Sequence, residues 1–290
     1  MVTIGAHVSA AGGISTAFDR ALKIGAEAVQ IHPTAPQTWR RLHPDEEQVA
    51  TFRRRMAETS LDAFFFHAIY LINLATAKEE LLAQSRGSLR HHLEMANLLG
   101  VRGVIFHPGS HKGLGFETVL PQMAEAMSWA LDETPGESLL IIENSAGSGD
   151  NIGSSFSQIR QMMEAVDDPR LRLCLDTAHA FTAGYDLREK EGLERMVEEL
   201  GREIGFDKLA AIHANDSKAA FASNVDRHQN IGDGEIGSEA FRRILADPEL
   251  TRAPFILEVP GLEHQGPDRA NVERLRELAG LPPLPSVPDA

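Results

Sequence analysis

The chain has 290 residues, 42% of them apolar, enough for two ordinary domains or one large barrel around a sizeable core. Its 28 basic and 42 acidic residues give a net charge of −14, which excludes a protein that coats nucleic acid through a generally basic surface. The single cysteine, Cys174, rules out an internal disulfide, and no apolar run reaches the ~18 residues needed to cross a membrane.

In chain order, short apolar and β-branched runs alternate with longer amphipathic ones. The strand candidates are "VTIGAHVS" (2–9), "AEAVQIHP" (26–33), "DAFFFHAIY" (62–70), "RGVIFHPG" (102–109), "SLLIIENS" (138–145), "LRLCLDTA" (171–178), "KLAAIHAND" (208–216) and "PFILEVPG" (254–261). Between them lie helical patterns such as 78–100 and 187–205, with leucine, methionine and isoleucine at three- and four-residue steps among charges. Eight strands in strict alternation with helices predict a single (β/α)8 TIM barrel over residues 1–280. The Pro-rich stretch 281–290 is expected as a loose C-terminal tail. The opening residues lack a basic region followed by an apolar block and a cleavage site, so a cytoplasmic protein is expected.

Metal-competent side chains stand where these strands stop. The third strand contains His67, the fourth ends at His107, the fifth at Glu143, the sixth at Asp176, the seventh at His213 and the eighth at Glu258. In a barrel of this type those ends converge on the face that carries active sites. His179, Asp226 and His228 follow in loops over the same face. A single histidine at a strand end is usually a hydrogen-bonded core residue. Nine such residues on one face are harder to explain that way, because their four carboxylates would repel one another unless cations lay among them. Imidazole and carboxylate without thiolate suit zinc, manganese or a similar ion. Three dications would add about +6 where a phosphate must sit, so the acidic balance does not exclude a metalloenzyme acting on DNA.

With these residues in view, the sequence closely resembles the endonuclease IV-type apurinic/apyrimidinic endonucleases. The resemblance runs from "IGAHVSAAGG" (4–13) to "ILE" (256–258) and is carried by "YLINLA" (70–75), "FHPGSH" (106–111), "IIENSAGSGDNIG" (141–153), "CLDTAHAFTAGYDLR" (174–188), "HANDSK" (213–218) and "VDRHQNIGDGEIG" (225–237). It implies a metal site at the C-terminal face of the strands, holding three divalent metals, zinc in all or with manganese in one. His67 and His107 would hold the first, with Glu143 bridging to a second among Asp176, His213 and Glu258; His179, Asp226 and His228 would hold the third. The implied activity is hydrolysis of the phosphodiester 5′ to an abasic site in double-stranded DNA, leaving a 3′-hydroxyl and a 5′-deoxyribose phosphate, together with cleaning of blocked 3′ ends. Glu143 would be the catalytic carboxylate, and the protein a monomer.

Further residues carry expectations. Arg227, between two ligands, suits a phosphate, and Lys218 the DNA backbone. Tyr70 resembles a tyrosine that enters the damaged duplex. His7 and His32 end the first two strands and are read as hydrogen-bonded supports; His111 is left out of the ligand set, and His91 and His92 are read as surface residues of a helix. The family's polar, basic stretch after the second strand, close to "NQRQW", is replaced by "APQTW" (35–39), leaving Gln37 as a DNA contact with Arg40 and Arg41 beyond it. That departure implies weaker, more salt-sensitive DNA binding. Two rivals remain: a sugar or sugar-phosphate isomerase or epimerase on the same kind of barrel, and a non-catalytic damage-binding protein.

Overall fold

The computed structural model describes residues 2–285. Its strands in chain order are β1 (Ile4–His7), β2 (Ala28–Ile31), β3 (Ala63–His67), β4 (Gly103–Phe106), β5 (Leu139–Glu143), β6 (Leu171–Asp176), β7 (Leu209–His213), the two-residue pair β8 (Asp216–Ser217) and β9 (His228–Gln229), and β10 (Phe255–Leu257). β1 to β7 and β10 close into a barrel in the order β1-β10-β7-β6-β5-β4-β3-β2, every pairing parallel. The helices that connect them are α1 (Thr16–Ile24), α2 (Glu46–Glu58), α3 (Glu79–Leu99), α4 (Phe116–Asp132), α5 (Phe156–Val166), α6 (Thr177–Ala183), α7 (Lys190–Glu203), α8 (Ser238–Ala246) and α9 (Arg269–Leu278). The expected (β/α)8 TIM barrel is therefore present. Among the described residues, no helix is long and apolar enough to cross a membrane.

Two apolar layers follow from the period of two along each strand. Inside the barrel lie Ala28, Phe65, Ile105, Ile141, Cys174, Ala211 and Ile256 with their neighbours. Their alternates, such as Phe64, Phe66, Val104, Ile142 and Leu175, face outward into the larger layer beneath the helices. The interior is narrow: a methyl group at Gly5 would stand 2.8 Å from the Cβ of Ala28. The runs read from sequence overshoot most strands by a few residues of irregular chain at either end; the sixth begins with β6 at Leu171 and runs on into α6.

The helices begin and end on local chemistry. Asp45 and Gln48 form a reciprocal capping box that starts α2, and Gly25 and Gly100 end α1 and α3 in the left-handed region, at φ +80° and +75°. One helical expectation fails. His91 and His92 are both buried, each 5% exposed. The chain before α2 folds back over α3, so that His91 Nε2 donates to Leu42 O at 2.8 Å, while His92 Nδ1 donates to Ser88 O one turn earlier at 2.8 Å. Of the tail, Leu281 and Leu284 lie against the core and Arg276 Nε donates to Pro282 O at 3.1 Å; residues 286–290 lie outside the described residues.

Candidate metal centre

The barrel's own periodicity builds the site. Two residues beyond each interior residue the side chain again points to the axis, one layer higher. Phe65 is followed by His67, Ile105 by His107, Ile141 by Glu143, Cys174 by Asp176, Ala211 by His213 and Ile256 by Glu258. These six polar side chains stand on adjacent strands at the mouth. They fall into groups whose ligand atoms lie within 4.8 Å of one another: His67, His107 and Glu143; Glu143, Asp176, His213 and Glu258; and Asp176, His179 and His228.

Glu143, 1% exposed, sits at the junction. Its Oε2 lies 3.0 Å from His67 Nε2 and 3.3 Å from His107 Nε2, and its Oε1 lies 3.1 Å from His213 Nδ1. Glu258 Oε2 approaches the same His213 Nδ1 at 3.2 Å. Asp226, expected as a ligand but outside the third group, stands beside it, with Oδ2 3.3 Å from His179 Nε2 and Oδ1 3.4 Å from His228 Nε2. The nine residues expected from sequence are thus brought together. Asp176 adds to the expectation, because its Oδ2 is also 3.6 Å from His228 Nε2 and so stands between the second and third groups.

The imidazoles are oriented from behind. His67 Nδ1 donates to Ala68 O at 2.8 Å, His179 Nδ1 to Asn144 O at 2.9 Å, and His213 Nε2 to Gln30 Oε1 at 2.8 Å. Each ring then turns its other nitrogen toward the carboxylates, the orientation a histidine needs in order to ligate. The Nε2 atoms of His179 and His228 are buried with no aligned hydrogen-bond partner among the described residues. Orphaned ring nitrogens facing carboxylates fit divalent cations, and a soft thiolate takes no part. Burial pushes the Cys174 thiol up to about 11, and it lies in the apolar layer below.

Within the cluster, carboxylates and imidazoles stabilise each other's charged forms. Burial pushes the Glu143 carboxyl up, but His107, His213 and His179 outweigh it and hold it well below the usual range. Glu258 is likewise raised by burial and, more strongly, lowered by His213 and His7. In return His179 and His213, which burial would depress, are raised well above the ordinary imidazole value by the carboxylates beside them, Asp176, Asp226 and Glu143 for His179 and Glu258 and Glu143 for His213.

Three residues that the sequence reading missed support this layer. Gln30, fully buried, donates through Nε2 to Glu258 Oε1 at 2.6 Å while its Oε1 holds His213. Asn215 Nδ2 donates to Asp176 Oδ2 at 2.7 Å, and its Oδ1 accepts from Glu258 N at 2.8 Å. Asn144 Oδ1 accepts from Asp176 N at 2.6 Å. His7 Nδ1 lies 3.1 Å from Glu258 Oε1, and His32 Nδ1 donates to His67 O at 3.1 Å, so both are hydrogen-bonded supports. Burial, with His67 and His7 beside it, depresses His32 to about 2, which keeps it neutral. His111 accepts from Gly115 N and stays outside the three groups.

Above the cluster opens a cavity of about 660 Å³ lined by His7, His32, Pro36, Tyr70, His228, Glu258 and His264 among others. Tyr70 is 58% exposed at its rim, with its hydroxyl 3.3 Å from His32 Nε2 and its backbone N–H donating to Pro36 O. Gln37 is exposed in the adjoining loop, and Lys218 and Arg227 are exposed on the excursion between β8 and β9. Arg227 Nη1 donates to Asp226 O at 2.6 Å, which holds the guanidinium next to a candidate ligand without engaging its carboxylate.

Fold and donor set together define a class: a (β/α)8 barrel whose mouth offers three adjoining groups of metal-competent side chains. Residues 18–278 match the model of the xylose isomerase-like TIM barrel family. A probable endonuclease 4 from Halothermothrix orenii is 39% identical over 274 residues, covering 94% of this chain and 99% of the relative. One from Geotalea daltonii is 36% identical, covering 95% and 97%. The crystal structure of endonuclease IV from Thermus thermophilus superposes with a TM-score of 0.84 at 34% identity, over 96% of this chain and 99% of that one. This chain belongs to the endonuclease IV family. A 3-keto-D-glucoside 4-epimerase from E. coli, 12% identical with a TM-score of 0.67 over 97% of this chain and 100% of its own, shares the fold alone.

Proposed function

We propose that this protein is a metal-dependent apurinic/apyrimidinic endonuclease that hydrolyses the phosphodiester 5′ to an abasic site in duplex DNA, leaving a 3′-hydroxyl and a 5′-deoxyribose phosphate, and that also clears blocked 3′ ends. The observation that carries the reading is the shared position of Glu143, whose two oxygens face different histidine groups, beside a third group with two orphaned ring nitrogens. The close relatives named endonuclease 4 point the same way. In this reading His67 and His107 hold one divalent ion, Asp176, His213 and Glu258 a second, and His179, Asp226 and His228 a third, with Glu143 shared between the first two. Zinc suits the imidazole and carboxylate set throughout, with manganese the alternative in one position. The protein acts as a cytosolic monomer.

Such ions, when bound, make water acidic enough to supply a nucleophile at neutral pH and shield the phosphate charge. The chain's own residues supply the rest. Glu143, held as a carboxylate, orients the attacking water and accepts its proton. Arg227 and Lys218 meet backbone phosphates, and Tyr70 and Gln37 enter the duplex beside the lesion. His32, neutral and held against His67 O, keeps the Tyr70 hydroxyl in place at the rim.

The test is incision of a duplex carrying one tetrahydrofuran abasic analogue, before and after metal stripping. The analogue cannot undergo β-elimination, so a cut 5′ to it with a 3′-hydroxyl is hydrolytic. The expected result is that product, abolished by stripping and restored by zinc. An uncut duplex with three metals bound would overturn the reading and favour an isomerase-like or non-catalytic barrel.

A further inference from the structure

The polypeptide between β8 and β9 carries the candidate ligand Asp226 and leads directly into a second, His228, the first residue of β9; among its side chains Phe221 packs against Phe181, with Arg188 over its ring. Most of residues 218–227 are exposed, and two of them, Ala222 and Asn224, have φ of +54° and +55°. Contacts to the rest of the fold include Ala222 N donating to Phe181 O and Asn224 N to Thr182 O. A segment of this kind does not by itself hold an imidazole to within half an ångström, as a metal requires.

Both ends of the excursion close on one buried side chain. Asp216 is fully buried on β8, whose ladder with β9 sets Asp216 opposite Gln229 and Ser217 opposite His228. The Asp216 carboxylate accepts five backbone N–H groups: Oδ1 from Ser217 at 2.8 Å and Ile236 at 3.0 Å, Oδ2 from Gly232 at 2.9 Å and Gly234 at 3.1 Å, and both from Gly237 at 3.3–3.4 Å. The chain leaving β9 is therefore wrapped around the carboxylate of the strand that β9 pairs with. The glycines make the wrap possible. A methyl group on Gly234 would collide with Asp216 Oδ1 and Ser217 O, and Gly232 and Gly237 have φ near +80°.

We infer that Asp216 is a positioning residue for the outermost metal group: it fixes the return of the excursion so that Asp226 and His228 meet His179 and Asp176. It touches no candidate ligand's ring or carboxylate itself. The inference rests on the metal reading above and assigns that group's precision to a carboxylate outside it.

The test counts zinc retained by the full-length protein after gel filtration and follows zinc affinity by competition with a chelating dye, in wild type, Asp216→Asn, Gly234→Ala and His179→Ala. His179→Ala supplies the signature of a lost outer ion. Asp168→Ala, on the opposite end of the barrel beside Arg170, controls for general destabilisation. Wild type is expected to retain three equivalents. Asp216→Asn and Gly234→Ala are expected to weaken one equivalent by about tenfold or more and leave two tight, the scale on which metal affinity falls when support outside the ligands themselves is lost. Asp168→Ala should keep all three. Three tight equivalents in both loop variants would overturn the inference while leaving the metal reading standing. Equal weakening of every equivalent would also overturn it, because the role would then be general stability. A wild type without a tight third equivalent would fail the metal reading first and this inference with it.

Discussion

The environment of Glu143, the proposed general base, dictates what replacing it should do. The carboxylate is buried with two histidines on one oxygen and two on the other, His179 Nδ1 standing 3.3 Å from Oε1. Glutamine keeps the volume and one carbonyl oxygen but removes the charge and the capacity to accept a proton. Glu143→Gln should fold like wild type, checked by its thermal transition, and lose about 10²- to 10⁴-fold in kcat on the tetrahydrofuran duplex, the usual worth of a general base. Near-normal turnover would remove Glu143 from that role. At this scale the sequence was most informative where chemistry and period coincide. A polar residue two places after an interior apolar one, at the end of a strand, is visible as a break in an apolar run, and all six strand-end ligands announce themselves so. Gln30 obeys the same rule after Ala28, but glutamine is not a metal-competent type and Ile31 follows it, so it reads as strand interior. Asn144 and Asn215 sit one or two places past a ligand, where only the three-dimensional return of the chain shows that their amides bind Asp176.

Elements were legible in kind and less so in neighbours. The alternation of strand and helix is written in the hydrophobic period, and the barrel follows from it, whereas β8 and β9 are two residues each and leave no periodic trace. Helix α3 shows the other limit. Its pattern mixes leucine with histidine and arginine, which suggests a wet face, yet His91 is covered by the returning loop before α2, and His92 is buried with its Nδ1 on Ser88 O of its own helix. That burial has a pH signature. His92, desolvated and held neutral by burial, is depressed from 6.5 to about 4. The unfolded chain takes up a proton as pH falls below 6.5, while the folded one does so only near 4. Stability contributed by the neutral ring is therefore present above pH 6.5 and lost between 6.5 and 4, by an amount on the order of 3 kcal/mol. Urea midpoints of metal-free protein at pH 7 and pH 4.5 should show a shallower acid loss for His92→Asn than for wild type. An unchanged difference between the two pH values would place the proton elsewhere.

At the scale of the whole molecule, the acidic surface and a DNA substrate oppose each other, and the mouth is where they must be reconciled. The net charge is −14, and four carboxylates, Glu143, Asp176, Asp226 and Glu258, converge at the mouth, where the proposed function puts the phosphodiester. Three dications would change the balance to −14 + 6 = −8, with about +6 delivered entirely at the mouth. Binding of DNA should therefore depend on the metals as well as cleavage does. The loop at 35–39 sharpens this, since Ala35 and Pro36 contribute no charge and Gln37 is neutral, leaving the exposed Arg40, Arg41, Lys218 and Arg227 as the cations proposed to meet the DNA backbone. A duplex already nicked 5′ to a tetrahydrofuran leaves that linkage nothing to cut and isolates affinity. Its dissociation constant, measured by fluorescence anisotropy between about 50 and 200 mM salt, should rise about tenfold or more when the protein is stripped of metal, and should climb steeply with salt in the loaded form, as counterion release requires. Stripped protein that binds as tightly as loaded protein would mean that the phosphate does not sit among these carboxylates, and the DNA path would have to be redrawn away from the barrel mouth.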